Sequence, residues 1–156
     1  MQRKLTSKVL VIHCRDHDIK NTDASNMCLA AMMNELGEIT KECKIHRHCF
    51  NGGLKEMRKW QAAFPKVKFG VTAVLLCREF HPELEQVVNQ LPIESLLLET
   101  DSPHLLAPEH IRSHYNSPYG IEAVAERVAQ LKGLSLEKVL FQTLENTKAL
   151  YNVVRK

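Results

Sequence analysis

No stretch of the sequence approaches the ~20 consecutive apolar residues of a membrane-spanning helix. The first residues, Met1-Gln2-Arg3-Lys4-Leu5, also lack the apolar core of a secretory signal. The five cysteines, Cys14, Cys28, Cys43, Cys49 and Cys77, are odd in number and never spaced C-x-x-C, so neither a disulfide framework nor a zinc ribbon is indicated. A net charge of +3 is mild. It permits contact with a polyanion but is not the basic stripe that argues for nucleic acid by itself. Internal repeats and low-complexity segments are absent. These absences lead to the expectation of a soluble protein, without a membrane partner, in a reducing intracellular compartment, nucleus or cytoplasm.

What is present is the composition of one ordinary globular unit: 156 residues, 44% hydrophobic and 25% charged. Lys8 to Ile12 is apolar and β-branched on both faces, the pattern of a parallel strand covered on both sides. Helical spacing follows over Asp23 to Leu36, with Gly37 placed as a C-cap. The unit then repeats: a strand over Lys44 to Phe50, a helix over Leu54 to Phe64, a strand over Val67 to Leu76 and a helix over Glu79 to Leu91 with Pro82 in its first turn. A fourth apolar run, Leu96-Leu97-Leu98, stops on Glu99-Thr100-Asp101-Ser102-Pro103. After a polar loop from His104 to Pro118, helices are predicted over Tyr119 to Lys132 and over Ser135 to Val153, with Ser135 as N-cap. Four strands alternating with helices predict an α/β fold with a parallel sheet.

Groups able to do chemistry fall at the carboxyl ends of these strands. His13 follows the first, His48 ends the second, and Glu99 and Asp101, two residues apart and therefore on one strand face, end the fourth. Two carboxylates at a buried strand end are costly unless a cation sits between them, and His, His and Asp together suit a divalent metal. Taken singly, each has a blander reading: a strand-end histidine bonded to a carbonyl, or an acid making turn hydrogen bonds ahead of Pro103. His46 shares the face of His48 one pleat deeper and is expected to be a packed interior residue. Cys14 and Cys49 face the opposite side, where small buried cysteines are common. Arg15 could grip a phosphate or be a solvated loop charge, and Asn51-Gly52-Gly53 could offer N–H groups to an anion or serve only as a turn.

Taken together, Val11-Ile12-His13-Cys14-Arg15, His48-Cys49-Phe50-Asn51-Gly52, Glu99-Thr100-Asp101-Ser102-Pro103 and Glu145-Asn146-Thr147-Lys148-Ala149-Leu150-Tyr151 resemble the TatD family of metal-dependent deoxyribonucleases, with the order and approximate spacing of the motifs kept along nearly the whole chain. The resemblance implies a TIM barrel of the metallo-dependent hydrolase type that cleaves DNA phosphodiesters with divalent metal, Mg²⁺, Mn²⁺ or Zn²⁺, two per complete site. It implies His13, His48 and Asp101 as metal ligands at the fifth, sixth and eighth barrel strands, Glu99 and Asp101 as catalytic acids, and Arg15 and Asn116 on the substrate side, with Pro118 in the same loop. The family's D-x-H-x-H motif and its G-E-x-G-L-D motif do not occur here, and His104 stands where the family carries an aromatic residue. A whole barrel needs about 250 residues. The expectation is therefore a single domain over 1–156, truncated at its N-terminal half: a partial barrel of strands five to eight. Its nuclease activity should be impaired, and its open edges could pair with a second copy. The alternative is a catalytically inactive half-barrel that acts by binding or pairing.

Overall fold

The structure is a computed structural model that describes residues 6–14, 23–77, 81–105 and 116–153. Four strands, β1 (Val9–Ile12), β2 (Lys44–Arg47), β3 (Lys68–Val71) and β4 (Leu96–Leu98), form one sheet in sequence order. Every neighbouring pair is parallel. The connections contain α1 (Ala24–Leu36), α2 (Leu54–Ala63) and α3 (Leu84–Gln90); α4 (Ile121–Lys132) and α5 (Leu136–Tyr151) follow β4. The predicted α/β class with four parallel strands is thus the observed one. No helix among the described residues is long and apolar enough to cross a membrane.

The two faces of the sheet have different fates. Ile45, Phe69, Val71 and Leu96 join Met57, Trp60, Val87, Val124 and Val139 of the helices in one apolar core, with Leu10, Ile12 and Leu98 packed against it. Alternation places Val11, His13, His46, His48, Gly70, Leu97 and Glu99 on the other face. There Val11 is 53% exposed, so β1 is not covered on both sides as its β-branched pattern predicts. Hydrophobicity records what a strand tolerates, while coverage depends on which element is laid over it.

Two strands end earlier than their patterns predict and one helix begins later, each at an identifiable turn. β2 stops at Arg47 because Cys49 turns through φ 46°, in the left-handed region. β3 stops at Val71, where Thr72 Oγ1 accepts from the Val74 N–H and opens a 3₁₀ turn over Ala73–Leu76. Pro82 lies in a turn ahead of α3, which begins only at Leu84. The caps predicted at Gly37 and Ser135 form as expected, and Gly133 caps α4 as well. Gly37 (φ 51°) and Gly133 (φ 62°) end their helices in backbone shapes that glycine adopts freely, and Ser135 Oγ accepts from the Lys138 N–H at 3.2 Å. Helix α5 is anchored by Asn146, whose buried amide donates to the carbonyls of Ile93 and Leu96 at 2.7 and 2.8 Å. Its C-terminal end reaches the polar face of the sheet, where Lys44 Nζ donates to the carbonyls of Ala149 and Leu150 at 3.1 Å.

Candidate metal centre

The polar face ends, at its carboxyl edge, in a compact set of imidazoles and carboxylates. Parallel pairing brings it together: His48 N–H donates to the Ile12 carbonyl at 3.1 Å and Glu99 N–H to the Val71 carbonyl at 2.9 Å, carrying the ladder just past the strand ends. Glu99 is the hub. One oxygen, Oε1, lies 2.7 Å from His48 Nδ1 and 3.1 Å from His46 Nε2, and the other accepts from the Cys49 N–H at 2.8 Å. The far nitrogen of His48, Nε2, faces Asp101 Oδ1 at 3.2 Å. The ring of His13 lies 5.4 Å from that of His48 at its exposed edge, tilted by 36°. Cys49 and Asp101 both hold positive φ, 46° and 55°, and so carry local backbone strain on either side of the hub.

Burial of Glu99 raises the cost of its charge, but the close polar contact and charge of the His46 ring, with hydrogen bonds from His48 and the Cys49 N–H, outweigh that cost. They hold the carboxyl below its usual range. His46 is 6% exposed, and its Nδ1 is 2.6 Å from the Tyr151 hydroxyl, which partial burial and then the Glu99 charge raise above tyrosine's ordinary value. Its other nitrogen, Nε2, is buried and lacks an aligned hydrogen bond although Glu99 Oε1 is only 3.1 Å away. Gly70 on β3 provides the room. A Cβ there would overlap the Glu99 carboxylate and lie 2.7 Å from His46 Nε2.

These observations test the fit of a divalent ion. Among the described residues, His46, His48 and Glu99 each bring one ligand atom within 4.8 Å of the others. An orphaned imidazole nitrogen beside a charged carboxylate, in a space kept open by a glycine, is the donor set a cation fits.

The structure therefore gathers His13, His48, Glu99 and Asp101 at one edge, as the sequence predicts. Arg15 lies outside the described residues. Asn116 is 8% exposed, and its amide nitrogen donates to the carbonyls of Thr100, His104 and Leu105, while Oδ1 accepts from the Ser117 N–H. It fastens the loop that carries Asp101. His46 is the packed interior residue the sequence predicts, but its part in this cluster, and that of Tyr151, was not expected. The signal for His46 was its i, i+2 spacing to His48, which shares a face on any strand; nothing local marks Tyr151, more than a hundred residues away. Arg47, on the opposite face, is 1% exposed and donates to the carbonyls of Ile12 and Cys14, the residues on either side of His13.

Imidazoles and carboxylates converging at the carboxyl edge of a parallel sheet define an α/β protein of the kind that carries a metal-type site on its strand ends. The chain belongs to the TatD related DNase family, whose sequence model matches residues 3–152. It is 31% identical over 149 residues to the human 3'-5' RNA nuclease TATDN2, covering 94% of this chain and 18% of that protein. It is 29% identical over 135 residues to the uncharacterized metal-dependent hydrolase YabD of Bacillus subtilis, covering 86% of this chain and 50% of that one. The human deoxyribonuclease TATDN3 is 41% identical over 71 residues, 46% of this chain and 25% of that protein. Among solved structures, a TatD family hydrolase of Entamoeba histolytica superposes with a TM-score of 0.73 at 24% identity, over 96% of this chain and 52% of that chain, a likeness of fold. The chain thus spans about half the length, or less, of these relatives.

Proposed function

We propose that this chain is a TatD-type metal-dependent hydrolase unit directed at DNA phosphodiester bonds, corresponding to strands five to eight of the family barrel. The reading is carried by the convergence of His13, His48, Glu99 and Asp101 on one sheet edge. In this reading His13, His48 and Asp101 hold divalent metal, which when bound supplies Lewis-acid stabilisation of the phosphate and a nucleophilic water. Glu99 orients His48 through its Nδ1, and the Cys49 N–H fixes the Glu99 carboxylate in turn. Asn116 sets the loop that presents Asp101, and Arg15 grips a substrate phosphate. These side chains form only part of the family's ligand set, because the D-x-H-x-H and G-E-x-G-L-D motifs are not in this sequence, so turnover by this chain alone is strongly reduced.

The test is cleavage of end-labelled single-stranded DNA by the purified chain with Mg²⁺ or Mn²⁺. Weak, metal-dependent cleavage abolished by Asp101→Asn is expected; cleavage indifferent to that change, or to chelation, overturns the reading. A second reading, binding or pairing without catalysis, is favoured by Val11 on the open sheet face and by Leu140, Phe141 and Leu144 on α5, each at least 40% exposed. It predicts a dimer or larger species in light scattering. A strictly monomeric chain sinks it.

A further inference from the structure

The sheet has two unpaired edges among the described residues, β1 at one end and β4 at the other. Beside each edge lies a helix with an apolar, uncovered flank. We propose that a second copy of this chain covers both flanks: the β4/α5 side of one copy joins the β1/α1 side of the other, and the reverse, closing a twofold ring of eight parallel strands. The proposal builds on the pairing reading and names the surfaces that meet. It does not require pairing to replace catalysis.

Helix α1 carries the first flank. Met27-Cys28-Leu29-Ala30-Ala31-Met32-Met33 is an unbroken apolar run of nearly two turns, so no face of the helix is polar there. A helix that is apolar all round belongs in an interior. Leu29 is buried in the core, and Cys28 and Met32 pack against it. Ser25 Oγ and Asn26 Oδ1 face α2, accepting from Trp60 Nε1 and Lys59 Nζ at 3.1 and 2.7 Å. Helical spacing then puts Ala24, Met27 and Ala31 on the side turned away from α2, where Met27 is 70% exposed. Helix α5 carries the second flank. Its buried side is Val139, Thr143, Asn146 and Leu150, and Asn146 lays it on the start of β4. Leu140, Phe141 and Leu144 stand beside that buried side, exposed by 40, 59 and 48%.

Strand register favours closure over an open sheet. β2 starts level with β1, Val9 against Lys44; β3 starts level with His46, two residues into β2; β4 starts level with Phe69, one residue into β3. The starts therefore step one way across the sheet, the stagger a barrel needs, and eight strands give a ring whose interior side chains fill. A second copy supplies both missing neighbours at once, because each copy carries one edge of each kind and a twofold rotation pairs them all. No edge is left open. A stable pair buries about 1,200–2,000 Å², and the ring contributes two strand edges and two helix flanks from each copy toward that area. Val11, open on the inner face, becomes enclosed. At each junction the carboxyl end of β4 lies next to that of β1, so Asp101 of one copy stands beside His13 of the other.

The test is sedimentation equilibrium of the purified full chain over a range of concentrations. A species of twice the chain mass is expected, with the outward amides of β1 and β4 exchanging hydrogen more slowly in the pair than in the dilute single chain. Met27→Glu and Phe141→Glu, both at positions exposed in one copy, should each weaken association at least ~10-fold with the circular dichroism unchanged, since a charge is costly in an apolar contact. Ala31→Glu, one turn further along α1, repeats the test if Met27→Glu fails to fold. Arg58→Glu, on the exposed face of α2 between the two flanks, should leave association unchanged. Pairing weakened by Phe141→Glu but by neither α1 variant means α5 against α5; it overturns the ring and leaves the pairing reading in place. Open-ended larger species, or an equal loss with Arg58→Glu, overturn it too. A strictly monomeric chain overturns both the ring and the pairing reading, whatever its cleavage of DNA.

Discussion

Gly70 and Glu99 face each other across β3 and the end of β4, and the glycine's missing side chain is the volume the Glu99 carboxylate occupies. Position 70 is therefore set by a neighbour on the next strand rather than by any turn.

Replacing Gly70 with alanine should destabilise the fold by about 1–3 kcal/mol, the usual cost of forcing extra volume into a packed position. Because the overlap falls on Glu99 Oε2 and His46 Nε2, the same change should also displace both side chains. Urea unfolding and the histidine resonances in an NMR spectrum would register the two effects separately. A variant with wild-type stability and unshifted His46 signals would contradict this account.

The lowered carboxyl of Glu99 carries a pH signature in the metal-free protein. A group whose folded pKa lies below its unfolded value, about 4.3 for glutamate, stabilises the fold fully above that value. The contribution fades as pH falls toward the folded pKa. Glu99→Gln should therefore flatten the acid limb of a stability-versus-pH curve below about pH 4.3 and reduce stability at neutral pH. Denaturant midpoints for both proteins between pH 3 and 7, with a chelator present, would decide it; parallel curves would be the contrary result.

Arg47 is the most deeply buried charge among the described residues. It pairs with Glu56 at 2.9 Å, lies over Trp60 and Phe50 with its guanidinium 4.8 and 5.5 Å from the ring centroids, and donates to the carbonyls of Ile12 and Cys14. Arg47→Ala should cost about 3–5 kcal/mol, because truncation removes the charge partner of Glu56, two donors to the Ile12 and Cys14 carbonyls and the stem packed between the rings. Arg47→Met, which keeps the apolar stem between the rings, should cost clearly less. Equal losses for the two variants would show that pairing rather than packing dominates.

Asn146 ties α5 to the start of β4 through the Ile93 and Leu96 carbonyls. Asn146→Ala leaves both carbonyls without these donors and should lower stability by about 2 kcal/mol. Since α5 also delivers Tyr151 to His46, the hydroxyl should lose its position as well, visible as a change in the Tyr151 phenol titration.

The order and type of the elements were legible in the sequence because they rest on local periodicity. Short continuous apolar runs mark Val9–Ile12 and Leu96–Leu98, the helical stripe marks α4, and Gly133 and Ser135 punctuate what lies between α4 and α5. The rim residues His13, His48, Glu99 and Asp101 were legible for a related reason: a parallel sheet brings consecutive strand ends to one edge, so chain order alone predicts their company. Element ends were not. Cys49 and Thr72 stop their strands through a backbone angle and a side-chain hydrogen bond that no apolar pattern encodes.

By itself, then, the sequence determined the alternation of strand and helix, the parallel order and the gathering of acids and histidines on one edge, all consequences of short-range pattern and chain direction. Only the tertiary structure decided that Val11 lies open, that Gly70 makes room for Glu99, and that His46 and Tyr151 stand behind the hub. Those facts depend on register and on the reach of α5 across the sheet, contacts between residues far apart in the chain that local periodicity does not carry.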